Sequence, residues 1–310
     1  MQTIKKIKEQ IASVIVGQEK MIDSLLIGLI GDGHILLEGL PGLAKTKTIK
    51  TLALTLGLDF KRVQFTPDLL PSDIIGAEIY NPKNSDFIVK KGPIFTNLLL
   101  ADEINRAPAK VQSALLEAMA ENQVTIADNS FKLKSPFITL ATQNPIEQDG
   151  AFNLPQAQLD RFMLKVVVES NTKEQEMQIL EFANKNEVKE VKKVATLKDL
   201  QKVKKEVEAI HIDKELKAYI VDLIFASRAP SYELKELIEY GASPRASIYL
   251  FKAAKAHAYL NGNDFVTPVD IALMAKDVLR HRIILSYDAI AKDLTTDNII
   301  DMILESVPLP

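Results

Sequence analysis

The chain has 310 residues, a formal net charge of −3 and no cysteine. Its length can bury two hydrophobic cores, and its slight acidity provides no field that favours nucleic acid or an anionic membrane. The lack of cysteine excludes a disulfide framework and thiolate metal sites, and it fits a reducing compartment. The first residues lead into an amphipathic helical pattern without a signal-peptide core, and no run approaches the ~20 apolar residues of a membrane span. We therefore expect a cytoplasmic protein.

A glycine-rich loop follows the first strand pattern. Residues 1–33 have helical periodicity interrupted at Gly17, residues 35–38 predict a strand, and residues 39–46 read Gly-Leu-Pro-Gly-Leu-Ala-Lys-Thr before a helix to about Gly57. Backbone N–H groups of such a loop converge on a phosphate, and a nearby cation compensates its charge. We predict that Lys45 reaches the outer phosphates of a nucleotide and that Thr46 coordinates Mg²⁺. Taken alone, the loop is also compatible with a Gly/Pro turn that carries a surface lysine.

The loop departs from the pattern G-x-x-x-x-G-K-S/T at one position, where Ala44 replaces the last glycine. Alanine carries little penalty outside positive φ, so the methyl group is tolerated if the backbone is already helical one residue before Lys45. We therefore expect helical dihedral angles at Ala44.

The segment after the loop helix predicts an interrupted α/β pattern. Residues 60–65 form a second strand pattern, and strands that alternate with helices at this spacing imply a parallel sheet covered on both faces. Residues 67–97 are punctuated by proline and glycine. Within them, residues 77–80 and 87–90 flank a turn, which predicts a hairpin inserted between strands of the main sheet.

Two adjacent carboxylates end the next apolar run. Residues 98–101 are typical of a strand buried in a parallel sheet, and Asp102 and Glu103 follow them. Carboxylates at such a position require compensation by a metal or water. We assign Asp102 to Mg²⁺ and Glu103 to the general base that activates water. The alternative is a pair of solvated acids that begin a loop.

A polar amide follows a further strand pattern. Pro108 opens a helix to about residue 121, residues 124–133 predict a second hairpin, and the strand at 137–142 leads to Asn144. Ligands of open α/β folds gather at strand ends, so Asn144 is placed to orient the attacking water beside Glu103. Asn before Pro is also an ordinary turn signal.

The last sheet strand pattern covers residues 163–168, and charged helical sequence follows residue 170. We therefore predict an α/β domain at 1–170 and a helical domain at 171–310, with a clear helix start at Thr267. Ser243 and Pro244 begin another helix and place Arg245 in its first turn. A cation there opposes the helix dipole unless an anion such as phosphate compensates it, although exposed arginines are common.

Together these motifs resemble the MoxR family of AAA+ ATPases, over residues 16–282. The resemblance rests on the loop at 39–46, Asp102-Glu103 with residues 104–108, Gln143-Asn144-Pro145, Leu159-Asp160-Arg161-Phe162, residues 241–246 and residues 279–282. It implies a P-loop core, in which a parallel sheet is flanked by helices, and a smaller all-α lid. Ala44 is typical of the family, the insert at 67–97 resembles its helix-2 insert, and 124–133 resembles its pre-sensor hairpin.

The resemblance also implies residue roles. Asn144 is similar to the sensor-1 residue, Arg245 matches sensor 2, and Arg161 matches an arginine finger that reaches the nucleotide of a neighbouring subunit. Val16, Gly17 and Gln18 lie where relatives pack the adenine. The full set of implied nucleotide contacts is Val16, Gly17, Gln18, Gly39, Pro41, Gly42, Leu43, Ala44, Lys45, Thr46 and Thr48.

The implied function is Mg²⁺-dependent ATP hydrolysis by a homo-oligomeric ring, commonly hexameric, that remodels or matures client proteins in a chaperone-like way. Members frequently work with von Willebrand factor A-domain proteins. Two alternatives stay open: a scaffold that ATP assembles without hydrolysis, and a nucleic-acid motor, which the net charge disfavours. His281 reads as a structural residue because no second metal ligand lies at helical spacing from it. The sequence assigns no role to Arg228, Arg280 or Arg282.

Overall fold

The computed structural model describes residues 2–83, 85–145, 152–184, 190–230 and 232–310. The first part of the chain forms a sheet with surrounding helices. In chain order it contains α1 (Gln2–Ala12), α2 (Glu19–Ile30), β1 (His34–Glu38), α3 (Lys45–Leu56), β2 (Phe60–Gln64), α4 (Pro71–Ile75), β3 (Gly76–Asn81), β4 (Asp86–Lys91), β5 (Leu98–Asp102), a 3₁₀ turn (Ile104–Arg106), α5 (Ala109–Glu121), β6 (Gln123–Ile126), β7 (Asn129–Lys132), β8 (Ile138–Gln143), α6 (Gln156–Leu159) and β9 (Phe162–Val167).

The second part is mainly helical. It contains α7 (Lys173–Asn184), α8 (Leu197–Glu208), α9 (Lys214–Arg228), α10 (Tyr232–Lys235), β10 (Ile238–Tyr240), α11 (Pro244–Leu260), α12 (Pro268–Leu279), β11 (Ile284–Leu285), α13 (Tyr287–Ala291) and α14 (Thr296–Ser306). Strands β10 and β11 add one short antiparallel pair to the helices. Thr267 and Ser243 cap α12 and α11 with their hydroxyls, as predicted.

The main sheet has five parallel strands in the order β2-β5-β8-β1-β9. Its apolar strands are buried on both faces because their side chains alternate between two cores. Leu37 packs into the core shared with α1, α2, α3 and the C-terminal helices, whereas its neighbour Leu36 packs into the core under α5. This arrangement confirms the predicted parallel sheet flanked by helices.

Two hairpins leave the main sheet. Strands β3 and β4 pair in an antiparallel ladder, and so do β6 and β7, which confirms both predicted hairpins. The ring of Tyr80 contacts the ring of Phe87 across the first hairpin, with centroids 5.4 Å apart, and both side chains are exposed.

Buried polar contacts join the C-terminal helices to the sheet. Arg282, whose side chain is 1% exposed, donates through Nε to Asp160 Oδ1 at 2.8 Å. Burial lowers the pKa of Arg282 to about 10, against the opposing effect of Asp160, so the guanidinium stays charged at neutral pH. Arg280 pairs with Asp277 and Asp297 and also donates to the carbonyl oxygen of Lys165 in β9 at 2.5 Å. The arginines of this cluster thus connect the two parts of the molecule.

His281 lies in the same cluster and is buried. Its Nε2 is 3.0 Å from the carbonyl oxygen of Phe162, and burial, with Arg282 nearby, lowers its pKa well below the ordinary value. The described residues contain no group of three or more potential side-chain metal ligands. The structural interpretation of His281 agrees with this placement.

Candidate nucleotide-binding site

The loop after β1 turns sharply before α3 begins at Lys45. Gly42 has φ +87°, and Ala44 has φ 55° and ψ 17°, which is the left-handed region. The expectation of helical dihedral angles at Ala44 is therefore wrong. A non-glycine residue in this region costs about 1–2 kcal/mol and persists where the surroundings fix it.

Thr48 provides that support from beneath the loop. Its backbone N–H donates to the carbonyl oxygen of Ala44 at 2.9 Å, and its buried hydroxyl donates to the same oxygen at 3.0 Å. The predicted nucleotide contact at Thr48 is thus placed against the loop backbone rather than in the cavity lining. Lys45 is anchored in the same loop, where its Nζ donates to the carbonyl oxygen of Gly39 at 2.7 Å.

Residues from four segments line one cavity of about 410 Å³ at the carboxyl edge of the sheet. Because β1, β2, β5 and β8 are parallel, their carboxyl ends meet there. The lining residues are Pro41, Gly42, Leu43, Ala44, Lys45, Thr46, Lys47, Arg62, Gln64, Asp102, Glu103, Thr142, Gln143 and Asn144. Lys45, Thr46 and Asp102, the residues predicted to hold phosphate and Mg²⁺, thus line one cavity together with Glu103 and Asn144.

Burial lowers the pKa of Lys45, while the nearby charges of Asp102 and Glu103 raise it. The lysine is therefore held close to both carboxylates in a partly desolvated position. This charge distribution suits a ligand that carries negative charge and a divalent metal together, because phosphate requires the lysine and the metal requires the carboxylates.

The two carboxylates are held by different neighbours. Thr142 Oγ1 donates to Asp102 Oδ1 at 2.6 Å and accepts from the backbone N–H of Glu103 at 2.8 Å. Glu103 has φ 56°, which turns it away from the strand direction, and its Oε2 accepts from Gln64 Nε2 at 2.9 Å. Arg62 donates to Asp102 Oδ2 through Nε at 2.9 Å and through a terminal nitrogen at 2.6 Å.

The donor set fits a magnesium nucleotide. Thr46 and Asp102 provide the hydroxyl and carboxylate oxygens that Mg²⁺ prefers, and Mg²⁺ takes few protein ligands when phosphates supply the others. The backbone of residues 41–44 and the ammonium of Lys45 form the cradle that a phosphate chain requires.

Arg161 and Arg245 lie in a second cavity, of about 670 Å³. Its lining residues are Asp32, His34, Met119, Ala120, Asn122, Lys132, Leu133, Lys134, Ser135, Pro136, Phe137, Arg161, Arg245 and Tyr249. Arg161 donates to the carbonyl oxygen of Leu116, and Arg245 pairs with Asp160 at 2.8 Å. The structure thus separates the two predicted arginines from the phosphate loop.

The separation follows from strand register. Arg161 precedes Phe162, which pairs with His34 at the amino end of β1, whereas the phosphate loop follows Glu38 at its carboxyl end. The four residue steps between His34 and Glu38 correspond to roughly 13 Å at 3.3 Å per residue. The arginines and the phosphate loop therefore lie at opposite edges of the sheet.

A cleft of about 150 Å³ lies beside the loop, and of the three predicted adenine contacts Gln18 lines it. Gln18 has φ 64° and donates through Nε2 to the carbonyl oxygen of Glu169 at 3.2 Å and to Asn171 Oδ1 at 3.1 Å. Gly17 packs under the amide of Gln175, because a Cβ at this glycine would lie 2.8 Å from that side chain. Val16 is partly buried next to them. Val168 also lines the cleft and packs against Gly39, which joins the cleft to the start of the phosphate loop.

Five residues that line the phosphate cavity were not predicted as site residues: Lys47, Arg62, Gln64, Thr142 and Gln143. Arg62 and Gln64 are two residues apart on the predicted strand at 60–65, so their side chains lie on the same face of the strand, near its carboxyl end. The rule that ligands gather at strand ends points to them. Thr142 could have been predicted for the same reason, because it lies near the carboxyl end of its strand, two residues before Asn144.

Comparisons with known proteins also point to a nucleotide-binding ATPase fold. Residues 34–164 match the model of the ATPase family associated with various cellular activities (AAA), and residues 232–303 match the AAA lid domain. The chaperone MoxR1 of Mycobacterium tuberculosis is 42% identical over 99% of this chain and 82% of its own length. The chain belongs to the MoxR family of AAA+ ATPases.

Two further relatives have the same extent. The uncharacterised protein YeaC of Bacillus subtilis is 41% identical over 98% of this chain and 94% of its own length. The crystal structure of a Cytophaga hutchinsonii protein described as a candidate ATPase superposes with a TM-score of 0.93 at 50% identity, covering 100% of this chain and 95% of that one. The AAA+ core and lid are therefore the fold of this chain. In the described residues, every helix is too short or too polar to cross a bilayer.

Proposed function

We propose that the phosphate-loop cavity binds ATP with Mg²⁺ and hydrolyses it, and that a homo-oligomeric ring, expected to be a hexamer, uses this reaction to remodel client proteins. The observation that carries the proposal is the meeting of Lys45, Thr46, Asp102 and Glu103 in one cavity at the carboxyl edge of a parallel sheet. A von Willebrand factor A-domain partner stays a prediction from the family.

The chemistry follows from the position of each group. Glu103 would take a proton from the attacking water, and Asn144 in the same cavity would orient that water. Lys45 and the loop N–H groups would stabilise charge on the transferred phosphoryl group. Mg²⁺, held by Thr46 and Asp102, would neutralise charge on the phosphate oxygens.

The position of Arg161 and Arg245 supports catalysis between subunits. Both line a cavity at the edge of the sheet opposite the phosphate loop of their own chain. A guanidinium must touch the phosphoryl oxygens to stabilise them. We therefore assign both arginines to the nucleotide of a neighbouring subunit.

The nucleotide site is tested by Lys45→Met with calorimetric titration of Mg·ADP. We expect the variant to lose at least about a hundredfold in affinity, because a charge-assisted contact to phosphate disappears from a partly buried site. Lys50→Met, on the exposed side of the same helix, is the matched control and should bind like the wild type. Equal affinity in the two variants would contradict a nucleotide site at this loop.

A further inference from the structure

An arginine from β2 is the charged partner of the carboxylate assigned to the metal. Arg62 donates twice to Asp102 Oδ2, at 2.9 and 2.6 Å. The side chain of Asp102 is only 15% exposed, whereas that of Arg62 is 49% exposed. Arg62 thus compensates a carboxylate that water reaches poorly, while the guanidinium itself extends to solvent.

The second oxygen of Asp102 has a neutral partner. Thr142 Oγ1 donates to Oδ1 at 2.6 Å, and this hydroxyl is fixed because it accepts from the backbone N–H of Glu103. One carboxylate oxygen is therefore held by a dipole and the other by a full positive charge. These two partners respond differently to a cation that approaches Asp102.

A divalent cation that uses Oδ2 would lie beside the guanidinium of Arg62. Like charges at such distances repel strongly where the dielectric constant is below that of water. The hydroxyl of Thr142 carries no net charge and can stay in place. The arginine is therefore the partner that must leave.

We infer that Arg62 is a counter-cation that competes with Mg²⁺ for Asp102, an inference that rests on the proposed function of the cavity. Arg62 neutralises the carboxylate, and Mg²⁺ binds the site by displacing it. Its terminal nitrogen also donates to Gln64 Oε1 at 2.7 Å, and its exposed half reaches solvent. The displaced guanidinium therefore remains solvated, which keeps the exchange reversible.

Competition between Arg62 and Mg²⁺ for one oxygen of Asp102 predicts how strongly Mg²⁺ and nucleotide promote each other's binding. A residue that opposes metal binding lowers the factor by which Mg²⁺ strengthens nucleotide binding, and the two effects are reciprocal. Removal of the charge at position 62 should raise that factor. A residue that binds phosphate directly would instead weaken nucleotide binding equally with and without the metal.

The experiment measures the dissociation constant of a fluorescent ADP analogue by titration, once in excess Mg²⁺ and once in EDTA. The quantity compared is the dissociation constant in EDTA divided by that in Mg²⁺. We expect Arg62→Met to raise this ratio about tenfold over the wild type, within the usual range of coupling between sites. Arg62→Lys keeps a cation and should remain near the wild-type ratio. Lys61→Met, on the same strand but outside the cavity lining, should leave the ratio unchanged.

Three results would overturn the inference: an unchanged ratio in Arg62→Met, equal weakening in both conditions, or an Arg62→Lys variant that behaves like Arg62→Met. These failures differ from failure of the proposed function. If the wild-type protein binds the ADP analogue in neither condition, the nucleotide site itself is wrong. If the wild type binds it with a clear Mg²⁺ dependence and only the ratio in Arg62→Met fails to rise, the cavity keeps its assignment and Arg62 loses its role.

Discussion

The two edges of the central sheet carry different kinds of groups. At the carboxyl edge, the acids Asp102 and Glu103 are held by donors from neighbouring strands. At the amino edge, the second cavity is lined by four cationic side chains: Lys132, Lys134, Arg161 and Arg245. The carboxylates and the phosphate loop are thus separated from a second cationic group that contains the two predicted arginines. One chain presents both sets, but at opposite edges of the sheet.

The largest effect is expected at the carboxyl edge. Glu103→Gln should lower the rate of phosphate release by about 10²–10⁴-fold, because the amide cannot accept the proton of the attacking water. Nucleotide affinity should remain close to that of the wild type, because Lys45 and the loop are unchanged. Steady-state phosphate release and ADP titration measure the two quantities.

Glu117→Gln is the matched control, because Glu117 lies exposed on α5. It should retain wild-type turnover. Undiminished phosphate release by the Glu103 variant would remove this residue from the chemistry, whereas a wild-type protein that binds ATP without releasing phosphate would favour an ATP-gated scaffold. Turnover that DNA stimulates, with steep salt dependence, would favour a nucleic-acid motor.

Substitutions at the amino edge should mainly lower the free energy of unfolding. Arg282→Met removes the buried guanidinium that joins Asp160 to the C-terminal helices, and we expect it to lower the free energy of unfolding by about 3 kcal/mol. Urea unfolding measures the shift of the midpoint. Lys292→Met, at an exposed position of the same part of the chain, should change little. Equal midpoints for the two variants would show that the buried pair contributes nothing.

An effect of similar size is expected from pH at the same edge. Burial lowers the pKa of His34 from 6.5 to about 4, with opposition from the contact to Met119. The unfolded chain therefore binds a proton that the folded chain rejects, and stability should fall by about 3 kcal/mol as the pH drops from 6.5 to 4. Urea midpoints across this range test the expectation.

Two histidine variants separate this contribution from the rest of the acid response. His34→Gln should flatten the pH profile. His211→Gln, at an exposed position, is the control variant for the loss of an imidazole. An equally steep profile in His34→Gln would exclude His34 as its source.

The fold was largely predictable because its buried strands are continuous apolar runs. The predicted strand at 137–142 corresponds to β8 (Ile138–Gln143), and the hairpins and helix caps lie where turn and cap residues indicated. These features depend on local sequence and on burial along a strand. Neither requires knowledge of which strands are neighbours.

The missed features depend on that knowledge. Gln64 pairs in register with Asp102 only because β2 lies beside β5, and this neighbour relation brings Arg62 to the same carboxylate. The left-handed conformation of Ala44 depends on how Thr48 closes the loop. Strand order and loop closure are set by tertiary packing, so a linear pattern does not reveal them.

Proposed catalysis between subunits requires the two edges to meet where neighbouring chains contact each other. The decisive measurement is ATP turnover in rings that mix Glu103→Gln with Arg161→Ala chains, with mixing verified by native mass spectrometry. Each variant alone should be inactive. Mixed rings should recover turnover, because an interface can join the intact Glu103 of one chain with the intact Arg161 of another. Verified mixed rings without any recovery would contradict catalysis between subunits.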